Sequence, residues 1–257
     1  MKHVKIAGMT LSLILLLVGA GYATTINPIG GGNGSEDSLQ KILDDRTMGP
    51  VAGSSSIDAA GDVNDALVYD QYWNITASGG SVSTFVIEIT DYFNRNTFGI
   101  YDAADPTKRV EIFNGAAGSG KQATISIFAD GSVYKNHGDD PIAYFGGSTF
   151  GYYLMAGDGH IYYSDTSLNA DGFDHLVAFQ GKDIDYFKIN DMYNSALWTD
   201  NEFILAWEDF YGGGDYDYND MVVMVESVTP VPEPSSLVLL GCGLMGLGAY
   251  GYRRIRK

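Results

Sequence analysis

The sequence predicts an all-β fold: an antiparallel β-sandwich, jelly-roll-like, flanked by an N-terminal signal peptide and a C-terminal transmembrane helix. Three observations lead there. Short runs of β-branched and aromatic residues, about ten of them, are separated by turn residues, with little helical periodicity. The composition suits strand faces and tight turns, with 18 Tyr, 12 Phe and 33 Gly in 257 residues. Finally, the one cysteine, Cys242, lies in the C-terminal apolar run, so the rest of the chain has no disulfide and no thiolate metal site. A disulfide-free exported domain needs a large core, bound ions, or both.

The elements follow in chain order. Residues 1–23 place Lys2 and Lys5 before an apolar stretch from Met9 to Val18, then small residues leading to Ala23. That order fits a secretory signal peptide, and the apolar core is short for a membrane span. Residues 24–61 are rich in Gly, Ser and Asp and read as a loosely ordered entry segment, with a short helix around Ser38–Asp44. Residues 62–229 read as the sandwich. Strands are expected at 83–89, 109–113, 123–135, 151–164, 175–179, 186–189, 203–207 and 221–227. The third and fourth of these are hairpins, with a two-residue primed turn at Asp130-Gly131 and a turn near Asp158-Gly159. An echo links DVNDALV at 62–68 to DYNDMVV at 217–223, which raises the question of a second ion site at 62–65. In residues 230–257, Pro232-Glu233-Pro234 precedes an apolar run from Leu237 to Tyr250 and the cations Arg253, Arg254, Arg256 and Lys257. As a helix, Ser235 to Tyr252 would reach about 27 Å, enough for a hydrocarbon core, and the basic end would stay cytoplasmic.

That tail resembles the PEP-CTERM sorting signal of Gram-negative bacteria. The resemblance implies transient insertion in the inner membrane and processing by an exosortase-type enzyme near Pro232–Pro234. It also implies delivery to the cell surface or an extracellular matrix.

Charge narrows the partners. Between the two terminal segments lie nine basic and 31 acidic residues, a net charge near −22. Such a surface repels nucleic acid and anionic membrane, and it suits cations or neutral polymers such as glycans.

The acids concentrate in WEDFYGGGDYDYNDMVVMVE, residues 207–226. Asp215, Asp217 and Asn219 alternate and Asp220 follows, so several hard oxygen ligands can turn to one side of a loop, as calcium requires. Glu208 or Asp209 would complete the shell from the neighbouring strand end. The three glycines 212–214 permit a sharp turn. An EF-hand is ruled out, because position six is Asp220 instead of Gly and the flanks are strands. A solvated acidic turn is the plain alternative.

This string, with DGFDHLVAF upstream at 171–179, resembles a family of bacterial secreted proteins, domain-of-unknown-function family 4114, most clearly over 171–226. The resemblance rests on Trp207, Glu208, Asp209, Gly212 to Asp215, Asp217, Asn219 and Asp220, with Asp174 and His175. Tyr216 and Tyr218 are positions expected to vary. The family implies an extracellular, calcium-dependent domain and no established reaction.

The remaining residues are less specific. His137 and His160 sit in turn-like sequence and should be solvated. His175 could orient a carboxylate or simply pack. No serine elbow, zinc histidine pair or phosphate loop is present, and the abundance of acids singles out no glycosidase pair. Trp73, Trp198, Trp207 and the tyrosines could stack on sugar rings or build the core. The expectation is a non-enzymatic, calcium-stabilised surface or matrix protein that binds or organises extracellular polysaccharide. A structural or adhesive component without glycan affinity, or an enzyme acting on extracellular polymers, are the alternatives.

Overall fold

Alternation of apolar and polar residues makes strands that bury one face. In this chain several strands are apolar on both faces, which requires cover on both sides. The computed structural model describes residues 29, 36–60, 65–78, 80–87 and 94–232. The expected signal peptide and C-terminal helix lie outside them. Among the described residues no helix is long and apolar enough to cross a membrane.

In chain order the elements are helix α1 (Leu39–Arg46), β1 (Thr47–Gly49), β2 (Trp73–Ile75), β3 (Ser81–Ile87), β4 (Thr97–Asp102), β5 (Asp105–Phe113), β6 (Gln122–Ile127) and β7 (Ser132–Lys135). Then come β8 (Ala143–Tyr144), β9 (Phe150–Met155), β10 (Ile161–Tyr163), the 3-10 turn η1 (Thr166–Leu168), β11 (Leu176–Gln180) and β12 (Tyr186–Phe187). The last are β13 (Ala196–Leu197), β14 (Glu202–Trp207), β15 (Met221–Glu226) and β16 (Val228–Pro230). Every strand pair is antiparallel. Seven strands form one sheet in the order β11-β14-β15-β3-β6-β7-β8, and a second runs β16-β2-β9-β4-β5 with β10 on β9.

The two sheets pack face to face, as expected of a sandwich. From the seven-stranded sheet, Phe203, Leu205 and Trp207 of β14 and Met221, Val223 and Val225 of β15 point inward. They meet Trp73, Phe98, Tyr152 and Leu154 of the other sheet. Edge-on aromatic contacts span the gap, with Trp73 and Phe203 ring centres 5.0 Å apart and Phe85 and Phe113 5.8 Å apart.

On the other face of this sheet, Val177 and Phe179 of β11, Ile204 and Ala206 of β14 and Val222 of β15 face a second core. Leu39 and Leu43 of α1, with Ile57, Ala59, Phe187 and Trp198, cover that face. Residues 36–60 are therefore packed where the Gly- and Ser-rich composition suggested loose order. Ser38 caps α1 by accepting from the Lys41 amide at 3.3 Å, and the helix runs two residues beyond the expected end. A small sheet, β1-β12-β13, closes the layer.

The Asp130-Gly131 turn departs from expectation. Phe128 N–H donates to the Ser132 carbonyl and Gly131 N–H to the Phe128 carbonyl, so three residues form the loop. Only Gly131 takes a positive φ, 83°. Asp130 stays out of the left-handed region because its carboxylate accepts from both the amide and the hydroxyl of Ser132. The Asp158-Gly159 hairpin has the same form, with Ala156 N–H donating to the His160 carbonyl.

Candidate cation site

The site is the connection from β14 to β15, closed at its base by the Trp207–Met221 pair. Glycines shape its first half. Gly213 has φ 88°, and a Cβ there would lie 2.2 Å from the Phe173 ring; Gly214 has φ 46°, and its Cβ would lie 2.4 Å from Glu208 Oε1. Gly213→Ala is therefore expected to destabilise the chain by at least about 1–3 kcal/mol through overpacking and positive-φ strain. Urea denaturation of the two proteins checks this, and equal midpoints would contradict it.

The second half alternates conformation. Tyr216 and Tyr218 are left-handed, at φ 64° and 53°, between Asp215, Asp217 and Asn219. Tyr218 is not a free position: it is fully buried, and its hydroxyl donates to the Asp174 carbonyl at 2.6 Å. Tyr216 is exposed.

The six residues singled out in the sequence lie in this loop and at its two strand ends, and of their carboxylates only those of Asp215 and Asp217 join a close group. Asp217 and Asn219 are buried, and Asn219 Nδ2 donates to Asp217 Oδ2 at 2.7 Å and to the Asp37 carbonyl at 2.8 Å. Glu208, Asp209 and Asp220 are buried at the strand ends. Asp220 Oδ2 accepts from the Asp209 amide at 2.8 Å, and Asn96 Nδ2 donates to Asp209 Oδ2 at 2.6 Å. Asp215 stays exposed at the rim. A seventh residue, Glu36 from the entry segment, joins them. The carboxylates of Glu36, Asp215 and Asp217 offer oxygens all within 4.8 Å of one another. Nothing in the sequence pointed to Glu36, which lies far from the loop along the chain.

Electrostatics show the strain of this crowding. Burial, then the charges of Asp217, Asp215 and Asp209, push the Glu208 carboxyl up to about 8. Burial and the neighbouring Asp209 and Glu208 push Asp220 up to about 11. Asp217 rises to about 6 through burial and then the charges of Asp215 and Glu36. Both Glu208 oxygens are buried, and the Asp220 carboxyl lies within hydrogen-bonding reach of them. Asn219 Oδ1 is buried without a donor. Oxygens gathered out of water suit a hard divalent cation once the carboxyls exchange their protons for it, so the residues present fit calcium.

A rigid frame holds the loop from outside. His175 is fully buried, with Nδ1 2.7 Å from the Glu208 carbonyl and Nε2 3.0 Å from Asp171 Oδ2. Asp171 Oδ2 also accepts from the Gly212 amide at 2.7 Å. Burial lowers the His175 pKa and outweighs the opposing pull of Asp171. His175 thus holds the loop through the Glu208 carbonyl and also meets the Asp171 carboxylate, the role weighed for it beside packing.

Other sequence candidates lie elsewhere. His137 and His160 are exposed. Trp73, Trp198 and Trp207 are all buried in the two cores, so none offers a face to a sugar. The exposed rings include Phe128 and Tyr144 at the β6–β8 end of the large sheet, and Tyr211 and Tyr216 in the loop. Residues 62–64 of the sequence echo lie outside the described residues, and Asp65 is taken up by Lys182 at 2.6 Å and the Asp58 amide at 2.7 Å.

Comparison with known proteins gives two matches. Residues 119–228 match the family described as Domain of unknown function (DUF4114), and residues 230–257 match the PEP-CTERM protein-sorting motif. The first match begins just before β6 and takes in the whole acidic loop, yet β3 lies between β15 and β6 in the same sheet. The folded unit therefore extends upstream of the matched segment. No curated protein and no solved structure matches the chain. The sorting motif marks an exported protein, handled by an exosortase and destined for the surface or exterior of a Gram-negative cell. The chain thus carries a segment that matches DUF4114, followed by a PEP-CTERM sorting motif.

Proposed function

We propose that this is a non-enzymatic surface or matrix protein, whose jelly-roll-like sandwich is stabilised by calcium in the β14–β15 loop and binds or organises extracellular polysaccharide. The observation that carries the calcium reading is the close group of Glu36, Asp215 and Asp217, whose carboxylate oxygens lie within 4.8 Å of one another beside the buried, donor-less Asn219 Oδ1. Without a cation these groups must either repel one another or take up protons. A bound ion turns the repulsion into attraction. The jelly-roll-like reading draws support from β3, an early strand seated between the late strand β15 and β6.

The glycan reading rests on the strong acid excess, which leaves neutral polymers as partners, and on exposed rings such as Phe128 and Tyr144. Burial of all three tryptophans favours the second reading, a structural component without glycan affinity. A glycan array probed with the exported protein, with and without calcium, separates the two. Calcium-dependent capture of polysaccharide is expected, and a blank array in both conditions leaves the structural reading.

A further inference from the structure

The segment that covers the outer face of β11, β14 and β15 is held differently at its two ends. In its middle, Leu39 and Leu43 of α1 share one apolar cluster with Ile204, Ala206 and Val222. Its far end is fastened by backbone: Thr47 of β1 pairs with Phe187 of β12, and the Lys188 N–H donates to the Arg46 carbonyl at 2.8 Å. Its near end meets the acidic loop. There Asn219 Nδ2 donates to the Asp37 carbonyl at 2.8 Å, and the Glu36 carboxylate shares a close group with Asp215 and Asp217, their oxygens within 4.8 Å of one another.

Without a cation this near end works against itself. Three carboxylates at that spacing repel, and the repulsion pushes Glu36 and its segment away from the loop. Asn219 gives an independent sign of a missing ligand. It is fully buried, its Nδ2 is spent on Asp37 and Asp217, and its Oδ1 accepts from no donor. A buried carbonyl oxygen left so is costly, and a hard cation would use it as a neutral ligand beside the carboxylates. Asp215 is exposed, so an ion can reach the group from solvent and keep water in its shell.

We infer that calcium at Glu36, Asp215, Asp217 and Asn219 is a latch: bound, it holds the start of α1 over the β11–β14–β15 face, and its loss lets that cover lift. The latch rests on the calcium reading above and adds a moving part to it. Its ligands come from two pieces of chain that nearly the whole domain separates, so the ion joins the cover to the sheet as well as bracing the loop. The calcium level outside the cell would then set how firmly the second core is closed.

Hydrogen exchange read by mass spectrometry on the full exported chain, in calcium and in chelator, tests the latch, with calorimetry beside it to read calcium binding. Chelation is expected to speed exchange in residues 39–47 by roughly tenfold or more beyond its effect on β4 and β9 of the opposite sheet, as local opening requires. Glu36→Gln, which removes the charge that crosses between the two pieces of chain, should leave residues 39–47 exchanging fast even in saturating calcium. Equal acceleration of 39–47, β4 and β9 overturns the latch and leaves the calcium reading standing, as does full protection of 39–47 in calcium-bound Glu36→Gln. No calcium binding up to millimolar ion overturns both. The unaltered chain decides the matter even if the variant does not fold.

Discussion

Chelating calcium from the exported protein is expected to lower its melting temperature by roughly 5–10 °C, and restoring calcium should reverse the change. The size follows from mass action. An ion present at a hundredfold excess over its Kd stabilises the native state by about 2.7 kcal/mol, and a chain of this size shifts by about 2–4 °C per kcal/mol. Magnesium should do less, because it demands tight octahedral geometry and holds its water. Asp217→Ala should remove most of the difference, since Asp217 is buried, belongs to the close carboxylate group and holds Asn219 in place. Differential scanning fluorimetry with and without chelator measures all of this. A melting point indifferent to calcium would mean the loop is an acidic turn whose buried groups are kept neutral by protons.

The second large effect lies in the core. Trp73→Ala is expected to cost about 3–5 kcal/mol, the usual range for emptying a large aromatic site. Trp73 is fully buried, contacts Tyr152 edge-on within its own sheet, and reaches Phe203 in the facing sheet. Its Nε1 donates to the Asp70 carbonyl at 2.7 Å, so Trp73→Phe should lose less, mainly that bond and some volume. Chemical denaturation gives both values. A loss below about 1 kcal/mol for the alanine variant would show that the sheets do not depend on this contact.

The parts legible in the sequence were those whose signal is local. Short apolar runs at 203–207 and 221–227 marked β14 and β15, and Asp-Gly pairs marked two hairpins. Strand β4 went unseen because Thr97, Gly99 and Asp102 break up the apolar run in TFGIYD, although all six residues are buried. Residues 36–60 read as loosely ordered by composition apart from the short helix around Ser38–Asp44, since Leu39, Leu43 and Ile57 are spaced among Gly, Ser and Asp. Only the sheet face they cover gives them a role. The site followed the same division. Its loop residues share one short string, but Glu36 reaches it through tertiary packing and carries no local mark. Tyr218 looked variable because a tyrosine between aspartates resembles a surface residue, whereas its hydroxyl is spent on the Asp174 carbonyl.

The position of β3 has a kinetic consequence. Phe85 of β3 pairs with Val223 of β15, while the other edge of β3 pairs with β6 nearby in sequence. A chain that emerges from its N-terminal end first therefore carries an open β3 edge until nearly all of it has appeared. Contacts of such long sequence separation form slowly, and an unpaired apolar edge invites pairing with another chain. The formal charge of −17 over the whole chain opposes such encounters. Raised ionic strength during refolding screens that repulsion, so salt should increase aggregation of the unfolded chain even where it leaves the folded one soluble.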